Sequence, residues 1–170
     1  MEKNPAIFTS KADVLELLSS KVKFSKIEDI FTFTVNEWEL NKNTILKEIQ
    51  KKFKNIVIVR SSALDEDSIF ESGAGNYQSI LFVNPKSQKE ISNAIKEVID
   101  SFRFKGNLSN KNQIFIQKQT LNSILNGVIF TRTPKGGAPY YVINFNENKN
   151  TESVTKGENS NVIKIFKNIK

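Results

Sequence analysis

Residues 56–83 read IVIVRSSALDEDSIFESGAGNYQSILFV, and this stretch decides how the rest of the chain is read. An apolar run at 56–59 ends in Arg60, a polar segment carries Gly73 and Gly75, and a second apolar run spans 77–83. A strand that delivers an arginine into a glycine-containing loop and returns as a strand is suited to holding phosphate. Arginine offers several fixed N–H donors to phosphate oxygens, and glycine lets backbone N–H groups approach an anion with no Cβ in the way. Arg60 closes its strand at the edge where α/β sheets commonly carry binding groups. Asp65, Glu66 and Asp67 follow in succession, and a solvated loop explains such a run better than a metal site. Ser61 and Ser62 have no histidine and no lysine at motif spacing to activate them as nucleophiles.

Ahead of this stretch, Ser10 is suited to cap a helix over 11–20 with Val14, Leu15, Leu17 and Leu18 on its apolar face. Lys11 then falls in the first turn, where a cation opposes the helix dipole. It is either a solvated lysine or, together with the helix N-terminus, faces an anion. IFTFTV at 30–35 alternates as a half-buried strand does. Asn36 is a candidate cap for a helix over 37–53, with Trp38, Leu40, Ile45, Leu46, Ile49 and Phe53 as its core face. Beyond the central stretch, Ser87 caps a helix to about residue 102, and KGNLSNKN at 105–112 reads as a linker or lobe boundary. Strands are expected at 113–117, 127–131, 140–145 and 162–166, with another near Val154; Pro134, Gly136 and Gly137 make a hairpin-like connection. The fold class is therefore α+β, with a first lobe over 1–110 and a mostly antiparallel β second lobe over 111–170.

Composition narrows the function. The 170 residues contain neither cysteine nor histidine, which excludes disulfides, thiolate metal sites and any phosphohistidine within this chain. No apolar run approaches a membrane span and no signal-peptide core stands at the start, so a cytoplasmic location is expected, with no membrane partner. The net charge of +7 comes mostly from scattered lysines, with no arginine and aromatic stripe, and a nucleic-acid partner is not expected.

The residues resemble a known family. VRSSALDEDSIFESGAGNYQSILFVN at 59–84 is similar to the nucleotide-binding segment of phosphoenolpyruvate synthase, pyruvate phosphate dikinase and rifampin phosphotransferase. Their ATP-grasp domains carry VRSSA, then ED, then AG, then a Ser or Thr before a Leu and Asn-Val. TSKADVLELL at 9–18 resembles the family's GGKAANLAEL opening, with Thr9 and Ser10 replacing the glycine pair. IFIQKQT at 114–120 resembles its VVVQKMV strand, and NGVIFTRTP at 126–134 resembles its SGVLFTRDP strand and turn. Among relatives, FTSKADVLELL at 8–18 and FTV.EW at 33–38 are similar to the L-glutamine kinase of bacterial capsule phosphoramidate synthesis.

The resemblance implies that Lys11 and Arg60 contact ATP phosphates, with Arg60 offsetting charge on the transferring phosphoryl group. Gly73, Gly75 and Ser79 shape the loop over the phosphates, Gln117 meets the adenosine, and Arg132 lies near the mouth of the cleft. It implies ATP and Mg2+ as cofactors, a small-molecule phosphoryl acceptor such as L-glutamine or pyruvate, and further domains that include a phosphohistidine carrier. Where the family has an acid after its YVI-like strand, this chain has Asn144, with Glu147 and Glu152 nearby, so the metal ligands stay unassigned. The family's later DIEW-like and LQ.RP-like segments have no counterpart before Lys170. The chain is therefore expected to be the N-terminal portion of a longer phosphotransferase, binding ATP weakly by itself and turning nothing over. A catalytically inactive nucleotide-binding or regulatory module of the same fold is the alternative, and a basic nucleic-acid-binding domain a more distant one.

Overall fold

Ser10 starts the first helix because its hydroxyl accepts from the Asp13 amide while the Asp13 carboxylate accepts from the Ser10 amide. This reciprocal cap satisfies two amides that the helix itself leaves unpaired, and it fixes α1 at Lys11–Ser19. The computed structural model describes residues 10–63, 78–147 and 161–168. The acidic run at 65–67, Gly73, Gly75, Glu152 and the strand expected near Val154 lie outside the described residues.

Two compact units divide the chain, Met1–Gln119 and Thr120–Lys170. In the first, β1 (Ile30–Thr34) leads directly into α2 (Val35–Lys52). The cap expected at Asn36 is instead Thr34. Its hydroxyl accepts from the Glu37 amide at 3.1 Å, and the Glu37 carboxylate accepts from the Thr34 amide at 2.7 Å. A Thr-x-x-Glu pair satisfies both amides at once, which a lone asparagine does not do. Asn41 breaks the helical dihedrals at φ −129°, ψ 28° and resets the phase of the apolar face. Trp38 before the break and Ile45, Leu46 and Ile49 after it are all buried, while Leu40 turns to solvent.

β2 (Val57–Ser62), β3 (Ser79–Val83) and β4 (Gln113–Lys118) join β1 in a four-stranded sheet of order β1-β4-β2-β3, antiparallel throughout. Phe33, Val57, Val59, Ile114 and Ile116 form its inner face against α2 and α3 (Gln88–Phe104). In α3 the buried residues Ile91, Ala94, Ile95, Val98, Ile99 and Phe102 recur at helical spacing, one stripe facing the sheet. The lobe boundary expected at 110 is therefore displaced. Residues 105–112 connect α3 to β4 inside the first unit, and Asn112 is fully buried there with its amide donating to the Asn107 carbonyl. The strand expected to open the second lobe is an interior strand of the first sheet.

Among the described residues, the second unit forms a three-stranded antiparallel sheet of β5 (Asn126–Phe130), β6 (Tyr140–Asn146) and β7 (Asn161–Phe166), in that order. The β5–β6 connection turns through Gly136 and Gly137, whose φ values of 78° and 60° suit residues without a Cβ. Gly127 has a different reason to be glycine. It sits opposite Phe145, and a Cβ there would come within 2.6 Å of the Asn144 carbonyl oxygen. Gly127→Ala is expected to push β5 off β6 and destabilise this sheet by about 1–3 kcal/mol. Hydrogen exchange checks it: the amides of β5 should lose protection in the variant, and unchanged protection would contradict the close packing.

Candidate functional site

The alternation of a strand sends every second residue to the opposite face. With Val57 and Val59 pointing to the core, Ile58, Arg60 and Ser62 share the outer face of β2. The register carries this face across the sheet. Ser79 on β3 lies opposite Arg60, Arg60 opposite Phe115 on β4, and Phe115 opposite Thr32 on β1, a single row across all four strands. Ser62 and Gln113 stand in the row to one side, and Ile58, Gln117 and Ile30 in the row to the other. Arg60 thus lies within its strand rather than at its end, and the candidate site is a sheet face rather than a sheet edge. The reason is that β2 continues to Ser62, paired along its whole length with β4 and as far as Arg60 with β3.

α1 docks on this face by its first turn. The Ala12 amide donates to the Ser62 hydroxyl at 3.0 Å, the Ser10 hydroxyl donates to the Gln113 side-chain oxygen, and the Gln113 amide donates to the Asp13 carboxylate at 3.2 Å. Further along, the Thr32 hydroxyl donates to Glu16 at 3.1 Å. Two amides of the helix N-terminus are engaged within the protein, that of Ala12 by Ser62 and that of Asp13 by Ser10. They fasten the helix to the sheet, so the first turn that opens at Lys11 lies over the face that carries Arg60 and Ser62. Ala12 is fully buried at this junction, whereas Val14, Leu17 and Leu18, expected to face a core, are exposed. The helix is held by its cap and polar first turn more than by its apolar stripe.

At the other end of β4, four residues and about 13 Å from Gln113, the Gln117 amide donates to the Glu28 carbonyl at 3.4 Å. The Glu28 carboxylate lies 3.3 Å from the Lys26 ammonium and 3.5 Å from that of Lys118. Partial burial opposes its charge, but the hydrogen bonds and positive charges of the two lysines prevail and hold its pKa below the ordinary carboxylate value.

Of the residues singled out from the sequence, Arg60, Ser79 and Gln117 share the outer face of the first sheet, and Lys11 opens the helix whose first turn docks there. Gly73 and Gly75 lie outside the described residues. Arg132 belongs to the second unit, exposed, with its guanidinium donating to the Gly137 carbonyl at 3.0 Å. Asn144 sits in β6 between Val128 and Val162, and Glu147 is exposed just beyond that strand. Among the described residues, no three acidic, histidine or cysteine side chains converge to hold a metal ion, and the donors of this face do not by themselves fit Mg2+. Gln113 and Phe115 are residues of this face that sequence reasoning missed, and Ser62 was weighed only as a nucleophile. The signal for them is the alternation itself: Ser62 follows Arg60 by two, and Phe115 lies between Gln113 and Gln117 in QIFIQ.

An arginine, a hydroxyl and an amide spread along one face of a sheet, with a lysine opening the helix docked there, suit an elongated polar ligand with an anionic end. The family model for the pyruvate phosphate dikinase AMP/ATP-binding domain matches residues 26–158. The chain belongs to this family and is the ATP- or AMP-binding portion of a dikinase-type enzyme, with an α+β fold consistent with a partial ATP-grasp domain. The matched segment contains Arg60, Ser79, Gln117 and Arg132, and Lys11 precedes it. No curated protein matches the chain. Among the described residues, no helix is long and apolar enough to cross a membrane.

Proposed function

We propose that ATP lies along the outer face of the β1-β4-β2-β3 sheet, with its phosphates against Lys11, Arg60 and Ser79 and its adenosine toward Gln117. The observation that supports this reading is the docking of the α1 first turn, which begins at Lys11, on Ser62 of the strand and face that carry Arg60. Arg60 is the fixed cation of the pair, suited to offset charge on a transferring phosphoryl group. Lys11 adds a point charge at the phosphate end, and Gln117 supplies an amide that can accept from or donate to a base edge. Gly73 and Gly75 belong to the same proposal as the loop over the phosphates, and Arg132 is proposed as a nucleotide contact.

The reaction proposed is dikinase-type phosphoryl transfer. ATP is cleaved to AMP and phosphate, and one phosphoryl group passes through a carrier histidine outside this chain, which has none of its own. The acceptor is a small molecule such as L-glutamine or pyruvate; L-glutamine follows from the similarity of residues 8–18 and 33–38 to the capsule phosphoramidate kinase. Such an enzyme works in the cytoplasm, where ATP is supplied. Mg2+ accompanies ATP in this chemistry, and no step is assigned to it through these residues. Asn144, an amide where the family has an acid, favours a second reading: a nucleotide-binding module that has kept the site and lost the transfer.

Calorimetric titration of the 170-residue chain tests the reading. ATP should bind more tightly than AMP, and AMP more tightly than adenosine, because each phosphate adds contacts with the cations. Equal affinity for ATP and adenosine, or no saturable binding of ATP, would refute it.

A further inference from the structure

Phe115 is fully buried, yet it stands apart from the apolar cluster beneath α2 and α3. Its strand neighbours Ile114 and Ile116 belong to that cluster, so Phe115 projects to the opposite face, in the row with Ser79, Arg60 and Thr32. The Arg60 guanidinium carbon lies 5.4 Å from the centre of the Phe115 ring. A guanidinium over an aromatic face is attracted by the ring quadrupole, and the attraction grows as water is excluded. The pair meets that condition, since Phe115 is out of solvent and Arg60 is half-buried. An arginine side chain left to sample its rotamers must be ordered when an anion binds, at a cost in entropy.

We propose that Phe115 is a positioning residue for Arg60, holding the guanidinium at a fixed place on the sheet face before a polyphosphate arrives. This rests on the reading of Arg60 as a phosphate contact. A ring of this size in the strand QIFIQK is not required by the core, because it lies on the far side of the sheet from it. Buried on that face with the guanidinium over it, the ring gives the cation a flat, low-dielectric support that an aliphatic residue of similar volume would not provide.

The test is a double-mutant cycle in the full chain with ATP as the probe, beside NMR of the arginine side chains. Phe115→Leu should weaken ATP binding by about two- to tenfold, Phe115→Tyr should restore it, and Phe115→Leu should have no further effect once Arg60→Ala is present. Equal losses with and without Arg60 would overturn the positioning role while leaving the ATP site standing. No effect of Arg60→Ala alone would instead remove the phosphate reading of Arg60. The chain has only three arginines, at 60, 103 and 132, so their Nε–Hε signals are separable. The Arg60 signal, identified by its loss in Arg60→Lys, should be shifted upfield by the ring in the native chain and remain so in Phe115→Tyr. An unshifted Arg60 signal in the native chain overturns the proposal however the variants fold.

Discussion

In a titration with ATP, Arg60→Ala is expected to lose about tenfold to a hundredfold in affinity, the largest loss of any single substitution on the sheet face. A hydrogen bond to a charged group contributes about 1.5–3 kcal/mol, and about 1.4 kcal/mol corresponds to a factor of ten. Arg60 sits in the middle of the row, between Ser79 and Phe115, and cannot be replaced by a neighbour, because the flanking outer-face residues of its strand are Ile58 and Ser62. Arg60→Lys should retain part of the affinity, since the charge remains while the planar fork is lost. Arg103→Ala is the control. Arg103 pairs with Asp100 at 2.9 Å on the exposed end of α3, and its removal should leave ATP binding unchanged. Calorimetry on the three variants decides it, and equal losses for Arg60→Ala and Arg103→Ala would reduce the effect to net charge.

Ile116→Ala is expected to destabilise the first unit by about 2–5 kcal/mol. Ile116 is fully buried on an interior strand, paired with Val59 on β2 and Phe31 on β1, and it belongs to the cluster filled by α2 and α3. Its truncation leaves a cavity where sheet and helices meet, and β2 cannot shift to fill it without breaking its ladder with β3. A loss of this size is a large fraction of the ~5–15 kcal/mol that holds a typical domain folded. Urea denaturation followed by Trp38 fluorescence measures it, because Trp38 packs in the same cluster, 6.0 Å from the Phe33 ring. A change below about 1 kcal/mol would mean that the site is not close-packed.

These two substitutions fall on neighbouring strands and on opposite faces of one sheet, and they show what was legible in the sequence and what was not. The stripe of α3 was legible because each apolar residue repeats at helical spacing and nothing else in the chain competes for that face. Ser10 was legible as a cap because its chemistry is local. QIFIQ was legible as a strand, but its place between β1 and β2 was not, since periodicity specifies conformation and leaves the neighbours open. That omission displaced the expected boundary from 110 to after Gln119 and put β4 in the wrong lobe. Arg60 and Lys11 were singled out as cations, but the docking of the helix that opens at Lys11 on the face of Arg60 depends on the Ala12 to Ser62 bond between residues fifty apart in the chain. The spacing of Val14, Leu17 and Leu18 likewise records which residues share a side of α1 and carries no information on what covers that side.

Chemical-shift mapping of the backbone amides during an ATP titration tests the central claim most directly. The outer face of the first sheet predicts perturbations at Lys11 and Ala12, at residues 60–62, at Ser79 and at residues 113–117. Perturbations confined to α2 and α3, or to the β5-β6-β7 sheet, would contradict it.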